Sequence, residues 1–149
     1  MSLILKLRIG CNKSQGYIVS EYMAHYATDE PIYALATPYS PSALAVIRAS
    51  GEGVLSLLSS RFSLRLEGRA SGSAVHGFLK DGNGGLIDEV MVIRYDHGHG
   101  YTGEEAFEIM CHGSLPVIRM ISKMLEELGI REAERGEFTT GHSCMAAWT

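Results

Sequence analysis

The stretch Lys80-Asp81-Gly82-Asn83-Gly84-Gly85 separates two apolar, strand-like runs, residues 74–79 and residues 87–95. Its Asp-Gly and Asn-Gly steps supply the positive backbone φ angles that a tight hairpin needs and that most L-residues resist. The two flanking runs are therefore predicted to be antiparallel neighbours in one sheet.

The remaining elements follow from periodicity and punctuation. Residues 32–36 read as a strand closed by Thr37-Pro38, and a turn over residues 39–42 contains Pro41. The run 43–47 is almost wholly apolar, which predicts a buried strand that delivers Arg48 at its exit. Ser50-Gly51-Glu52 opens a helix whose apolar face is Val54, Leu55, Leu57 and Leu58, and the polar stretch after it ends at Ser71-Gly72-Ser73. A Gly-rich loop, 97–100, leads to a strand over 106–110. Leu115, Ile118, Met120, Ile121, Met124, Leu125 and Leu128 then recur at helical spacing, with Gly129 as the stop. Residues 130–133 form one more short strand. The sum is a mixed sheet of five or six strands with two or three helices, an α+β fold rather than a doubly wound one.

With 149 residues and 46% apolar content, the chain has material for one ordinary core. We expect a single domain over residues 30–140. Residues 1–29 lack a clean amphipathic stripe and read as an extension, with Met23 as an alternative start. A net charge of −4, from 13 basic and 17 acidic residues, gives no broad footprint for a phosphate backbone, which argues against direct nucleic-acid binding by this chain alone. Cys11, Cys111 and Cys144 form no CxxC pair and suit free thiols in a reducing, cytoplasmic setting. No run is long and apolar enough for a membrane span. Neither a GxxxxGK[ST] loop nor a strand followed by GxGxxG occurs, so no nucleoside-triphosphate site is expected here.

Three short motifs place a polar side chain beside a glycine at the edge of an apolar element: Tyr101-Thr102-Gly103-Glu104, Cys111-His112-Gly113 and Gly136-Glu137-Phe138-Thr139. Together they read as one ligand pocket. Arg48 could clamp a carboxylate or a heterocycle through its fork of donors, although from the residue alone a strand-capping surface arginine is favoured by about two to one. Glu104 could accept two parallel N–H bonds from an amino-pyrimidine edge, against a solvated turn carboxylate. Asp96, His97, His99, Cys111 and His112 offer zinc-ligand chemistry but match no structural zinc spacing, and no metal is expected. A Cys111–His112 nucleophile pair is set aside, because adjacent strand residues point to opposite faces. Met120 and Met124 read as core filler. No residue is assigned to bond-making.

The motifs also occur in a particular order. Ile32-Tyr33-Ala34-Leu35-Ala36-Thr37-Pro38 is followed by Ala45-Val46-Ile47-Arg48-Ala49-Ser50-Gly51, Ile87-Asp88-Glu89, Tyr101-Thr102-Gly103-Glu104, Cys111-His112-Gly113 and Gly136-Glu137-Phe138-Thr139. This series resembles the N-terminal domain of the tRNA-modification GTPases MnmE (TrmE). The resemblance implies a folate-binding fold akin to that of glycine-cleavage aminomethyltransferases, which forms a homodimer and holds 5-formyltetrahydrofolate near the dimer interface. It carries folate-binding roles onto Arg48, Glu89, Glu104, His112, Gly136, Glu137 and Phe138. The full family protein adds helical and GTPase domains and acts with an FAD-containing partner on the wobble uridine of certain tRNAs.

Three departures stand out. Tyr39-Ser40-Pro41-Ser42 replaces a glycine-rich turn, Ser114 replaces the second glycine after His112, and the family pattern Gly-Glu-Phe-Thr-x-Arg-Ala-Phe-Leu-Asn-Gly ends here at Thr140. Back-translation of residues 141–149 with one added C before the Gly141 codon restores much of that pattern. Residues 141–149 are therefore expected to be a frameshifted tail, which resequencing of that codon run decides. Two alternatives remain at this point: a dimerisation scaffold without ligand, and a stand-alone folate-dependent one-carbon transferase.

Overall fold

The computed structural model describes residues 30–100, 102–134 and 137–138. The expected extension (residues 1–29), Tyr101, Gly136, Thr139 and the expected tail (residues 141–149) lie outside the described residues.

Among the described residues the fold is α+β: a six-stranded mixed sheet in the order β3-β4-β5-β2-β1-β6, with two helices assigned as elements. The strands are β1 (Ile32–Leu35), β2 (Leu44–Ser50), β3 (Ala74–Lys80), β4 (Leu86–Tyr95), β5 (Ala106–His112) and β6 (Arg131–Glu132), and the helices are α1 (Val54–Ser59) and α2 (Leu115–Glu127). Every pairing is antiparallel except that of β1 with β6. The segment containing α1 carries the chain from β2 to the β3 edge, and α2 carries it from β5 to the β6 edge.

The hairpin of β3 and β4 closes as its turn chemistry requires. Asp81 Oδ1 accepts bonds from the backbone N–H groups of Asn83 and Gly85, both at 2.8 Å, an arrangement that makes the aspartate the organiser of the loop. Gly84 takes φ 83°, so the Asn83-Gly84 step is where the left-handed conformation is used. α2 starts on Ser114, whose Oγ accepts the Val117 N–H at 3.4 Å, and Pro116 lies in its first turn, where a missing donor costs nothing. α1 has no side-chain cap of its own. Glu105 Oε2 instead accepts the Leu55 N–H at 3.3 Å, from fifty positions further along the chain.

Both helices pack on one face of the sheet. There Ile47, Phe107, Ile109 and Leu79 meet Leu55 and Leu58 of α1 and Ile121, Met124 and Leu125 of α2, all at most 1% exposed. Tyr33 joins this layer and donates its hydroxyl to Glu126 of α2 at 2.9 Å; burial above all pushes the phenol up to about 12.

Two expectations are corrected. The strand after the Pro41 turn does not end at Arg48: β2 runs to Ser50, and it is buried on one face only, with Ala45, Ile47 and Ala49 inward and Leu44 and Arg48 exposed. Strand alternation across a charged residue extends an element that an apolar run alone would stop. Met120 is not core filler but 43% exposed, whereas Met124 is buried. Met120 lies about 100° around the helix from Ile121, off the inward stripe.

Candidate functional site

Among the described residues no element covers the face of the sheet opposite the helices, and most of the candidate residues sit on it or at its ends. Register fixes its rows. His76 pairs with Met91, Met91 with Met110, and Met110 with Val46. One row further, Ala74 pairs with Ile93, Ile93 with Glu108, Glu108 with Arg48, and Arg48 with Ala34. Phe78, 40% exposed, pairs with Glu89, and Leu44, 63% exposed, pairs with His112, while Met110, 36% exposed, lies one row further along between Met91 and Val46.

At one end of β5, Ser50 pairs with Ala106 and gathers Thr102 and Glu104. Ser50 is 1% exposed; its Oγ bonds Thr102 Oγ1 and donates to Glu104 Oε2 at 3.2 Å. Two residues before Ser50, Arg48 Nε donates to Glu108 Oε1 at 2.7 Å. Tyr95 reaches Glu108 Oε2 at 3.5 Å, and its phenol is pushed upward by burial first and by the Glu108 charge second. Arg48 and Glu104 thus share one corner of the fold.

Glu89 and His112 occupy the other end of the sheet. His112 pairs with Leu44, at the far end of β5 from Ser50 and Ala106. A seven-residue strand is about 20 Å long at 3.3 Å per residue. Glu89 Oε1 lies 2.7 Å from His76 Nε2, and His112 Nδ1 lies 2.7 Å from Asp88 Oδ1. Asp88 also takes the His112 backbone N–H on Oδ2 at 2.9 Å. Asp88 belongs to the Ile87-Asp88-Glu89 motif, yet motif reading selected only Glu89. The β4 irregularity opposite Leu79 and Lys80 shifts which residues face which side, and alternation from sequence cannot register such a bulge.

Glu137 and Phe138 lie beyond β6. Arg131 holds the Glu137 carboxylate through two nitrogens, at 2.6 and 3.0 Å, and the Glu134 N–H adds a third bond at 2.6 Å. These bonds keep the Glu137 carboxyl below the usual glutamate range, with the Arg131 hydrogen bond the largest cause. The motifs expected to form one pocket are therefore distributed: Arg48 with Glu104, Glu89 near His112, and Glu137 with Phe138 at the β6 edge.

Cys111 and His112 do point to opposite faces. The Cys111 thiol is 1% exposed, donates to the Ala45 carbonyl at 3.6 Å, and is pushed up to about 11 by burial, with Asp88 adding to the effect. Among the described residues no group of three or more His, Cys, Asp or Glu side chains could hold a metal ion. Nor is any helix among them long and apolar enough to cross a membrane.

The family model of the GTP-binding protein TrmE N-terminus matches residues 31–142. The chain is 41% identical over 117 residues to the tRNA modification GTPase MnmE of Treponema denticola, an alignment covering 76% of this chain and 25% of that protein. It is 43% identical to the MnmE of Borreliella burgdorferi over the same shares, and 40% identical to that of Aquifex aeolicus over 74% of this chain and 24% of the relative. The chain spans about a quarter of the length of the curated relatives it matches. With a family match over most of its length and three relatives at or above 40% identity, this chain belongs to the TrmE N-terminal domain family of the tRNA modification GTPases.

Proposed function

We propose that the chain is a folate-binding and homodimerising module of a tRNA wobble-uridine modification GTPase, working in the cytoplasm with 5-formyltetrahydrofolate as its ligand. The observation that carries this reading is the family match over residues 31–142, which takes in the three glycine-bearing motifs. Binding roles fall to Arg48, Glu89, Glu104, His112, Gly136, Glu137 and Phe138. The GTPase chemistry, the FAD-containing partner and tRNA belong to the longer proteins of the family.

The open sheet face supports a dimer. It carries Met110 exposed between the Arg48–Glu108 row and the row that holds Glu89 and His112 with exposed Phe78 and Leu44. A two-fold axis makes a self-complementary patch its own partner. Paired antiparallel about such an axis, the Glu104 end of one protomer would stand beside the His112 end of the other. That reconciles one shared pocket with the separation of the motifs along β5.

Isothermal titration with 5-formyltetrahydrofolate, together with sedimentation with and without it, tests the proposal. Saturable binding by a dimer is the expected result. A monomer that binds no folate sinks both halves. A dimer indifferent to folate leaves a pure scaffold.

A further inference from the structure

Asp88 is the most engaged carboxylate at the His112 end of the sheet. Its side chain is 10% exposed, whereas that of His112 is 67% exposed. The ladder between β4 and β5 begins at Met91 and Met110, so no backbone rung joins Asp88 to β5. The Asp88 carboxylate bridges that gap, with Oδ2 on the His112 backbone N–H at 2.9 Å and Oδ1 on the imidazole Nδ1 at 2.7 Å.

An ionised carboxylate only accepts hydrogen bonds. The short contact at Nδ1 therefore requires that nitrogen to carry the proton, and a neutral imidazole then holds its lone pair on Nε2. Among the described residues no hydrogen bond falls on that nitrogen. Of the neighbouring groups, Glu89 contacts His76 through Oε1, and Cys111 lies on the buried face.

We propose that Asp88 and His112 form a carboxylate–imidazole pair that presents a tautomer-fixed hydrogen-bond acceptor, His112 Nε2, to an N–H group of the bound ligand. The inference deepens the folate reading and rests on it, since the amino-pyrimidine edge of a pterin is rich in N–H donors. His112 would select a donor at this position and reject a carbonyl. Asp88 is the positioning residue.

A purely structural Asp88 would serve only to replace the missing rung, and Asp88→Asn separates the two roles. Asparagine can keep both bonds, its oxygen on the backbone N–H and its NH2 on Nδ1. The second bond forces the opposite tautomer, turning Nε2 from acceptor into donor. The fold is retained while the recognition is inverted.

The experiment uses the full 149-residue chain. Long-range 1H–15N correlation of the imidazole in mildly alkaline buffer is expected to show His112 protonated on Nδ1 in the wild type and on Nε2 in Asp88→Asn. A mixture of tautomers in the wild type, or no change in the variant, overturns the pair. Titration of 5-formyltetrahydrofolate is expected to weaken about tenfold in Asp88→Asn and in His112→Gln. The second variant covers the case in which the first does not fold, because its side chain lies mostly in solvent. Wild-type binding left unchanged by both substitutions refutes the proposal and leaves the folate reading intact. A wild-type chain that binds no folate removes that reading and the ligand half of the proposal with it, while the tautomer spectrum still judges the pair.

Discussion

Arg131 grips Glu137 with two guanidinium nitrogens, Nη2 to Oε1 at 2.6 Å and Nη1 to Oε2 at 3.0 Å, and the Glu137 side chain is 5% exposed. Arg131 lies in β6, which pairs with β1, so the pair ties Glu137 to the edge of the sheet. Glu137 is thereby engaged within the fold, by Arg131 and by the Glu134 N–H.

Replacing Glu137 by alanine should therefore cost stability, because it leaves a partly buried guanidinium and the Glu134 N–H without this acceptor. The expected loss is about 1–2 kcal/mol, at the low end for a charged hydrogen-bonded pair since Arg131 is itself one-third exposed. Urea denaturation of both proteins measures it. An unchanged midpoint would show that the pair contributes nothing.

The same pair sets a pH dependence. The Glu137 carboxyl is depressed in the folded state, so its contribution is fully present above the ordinary glutamate value of 4.5 and is lost as pH falls through the lower folded value. Wild type and Glu137→Gln should therefore differ in stability at neutral pH and converge in acid. A gap that stays constant down to the acid limit would be at odds with this linkage.

Gly113 illustrates a constraint of close approach. A Cβ built there would overlap the carbonyl and hydroxyl oxygens of Ser42, and the two segments exchange backbone bonds, Ser42 N–H to Gly113 O at 3.0 Å and Gly113 N–H to Ala43 O at 3.3 Å. Gly113→Ala must push these apart, at an expected cost of about 1–3 kcal/mol. Thermal unfolding tests it, and a variant as stable as wild type would mean that the turn before β2 yields freely.

Much of this architecture was legible in the residues. The Asn83-Gly84 turn, the amphipathic stripe of α2 with its Gly129 stop, and the short strand before Gly136 carry local signals that the tertiary structure leaves unaltered. What escaped depends on partners distant in sequence. Arg48 looked like a strand terminus because charge ended an apolar run, but it faces the open side opposite Glu108, sixty positions away. Glu105 caps α1 from fifty positions away, and Asp88 reaches His112 only because β4 leaves its ladder. Motif order identified the family; it carried no information on how the motifs are spread along β5.

Cys111 should resist alkylation in the native chain. Its thiol is 1% exposed and is pushed up to about 11, so at neutral pH both the thiolate and access to it are scarce. Iodoacetamide labelling followed by mass spectrometry is expected to modify Cys111 only once denaturant unfolds the domain. Rapid labelling of the native protein would mean that the β5 core opens far more readily than its packing suggests.

Arg48 separates stability from binding. Its side chain is 44% exposed and its ion pair with Glu108 bridges neighbouring strands on the open face, a setting in which such pairs contribute about 0–1 kcal/mol. Arg48→Ala should leave the unfolding midpoint nearly unchanged. If Arg48 addresses a folate carboxylate or pterin edge, the same substitution removes a charge-assisted bond from a ligand contact and should weaken 5-formyltetrahydrofolate about tenfold or more. Titration and denaturation of the one variant give both numbers. A large stability loss would make Arg48 a structural strut, and unchanged affinity would remove it from the folate site while leaving the fold as described.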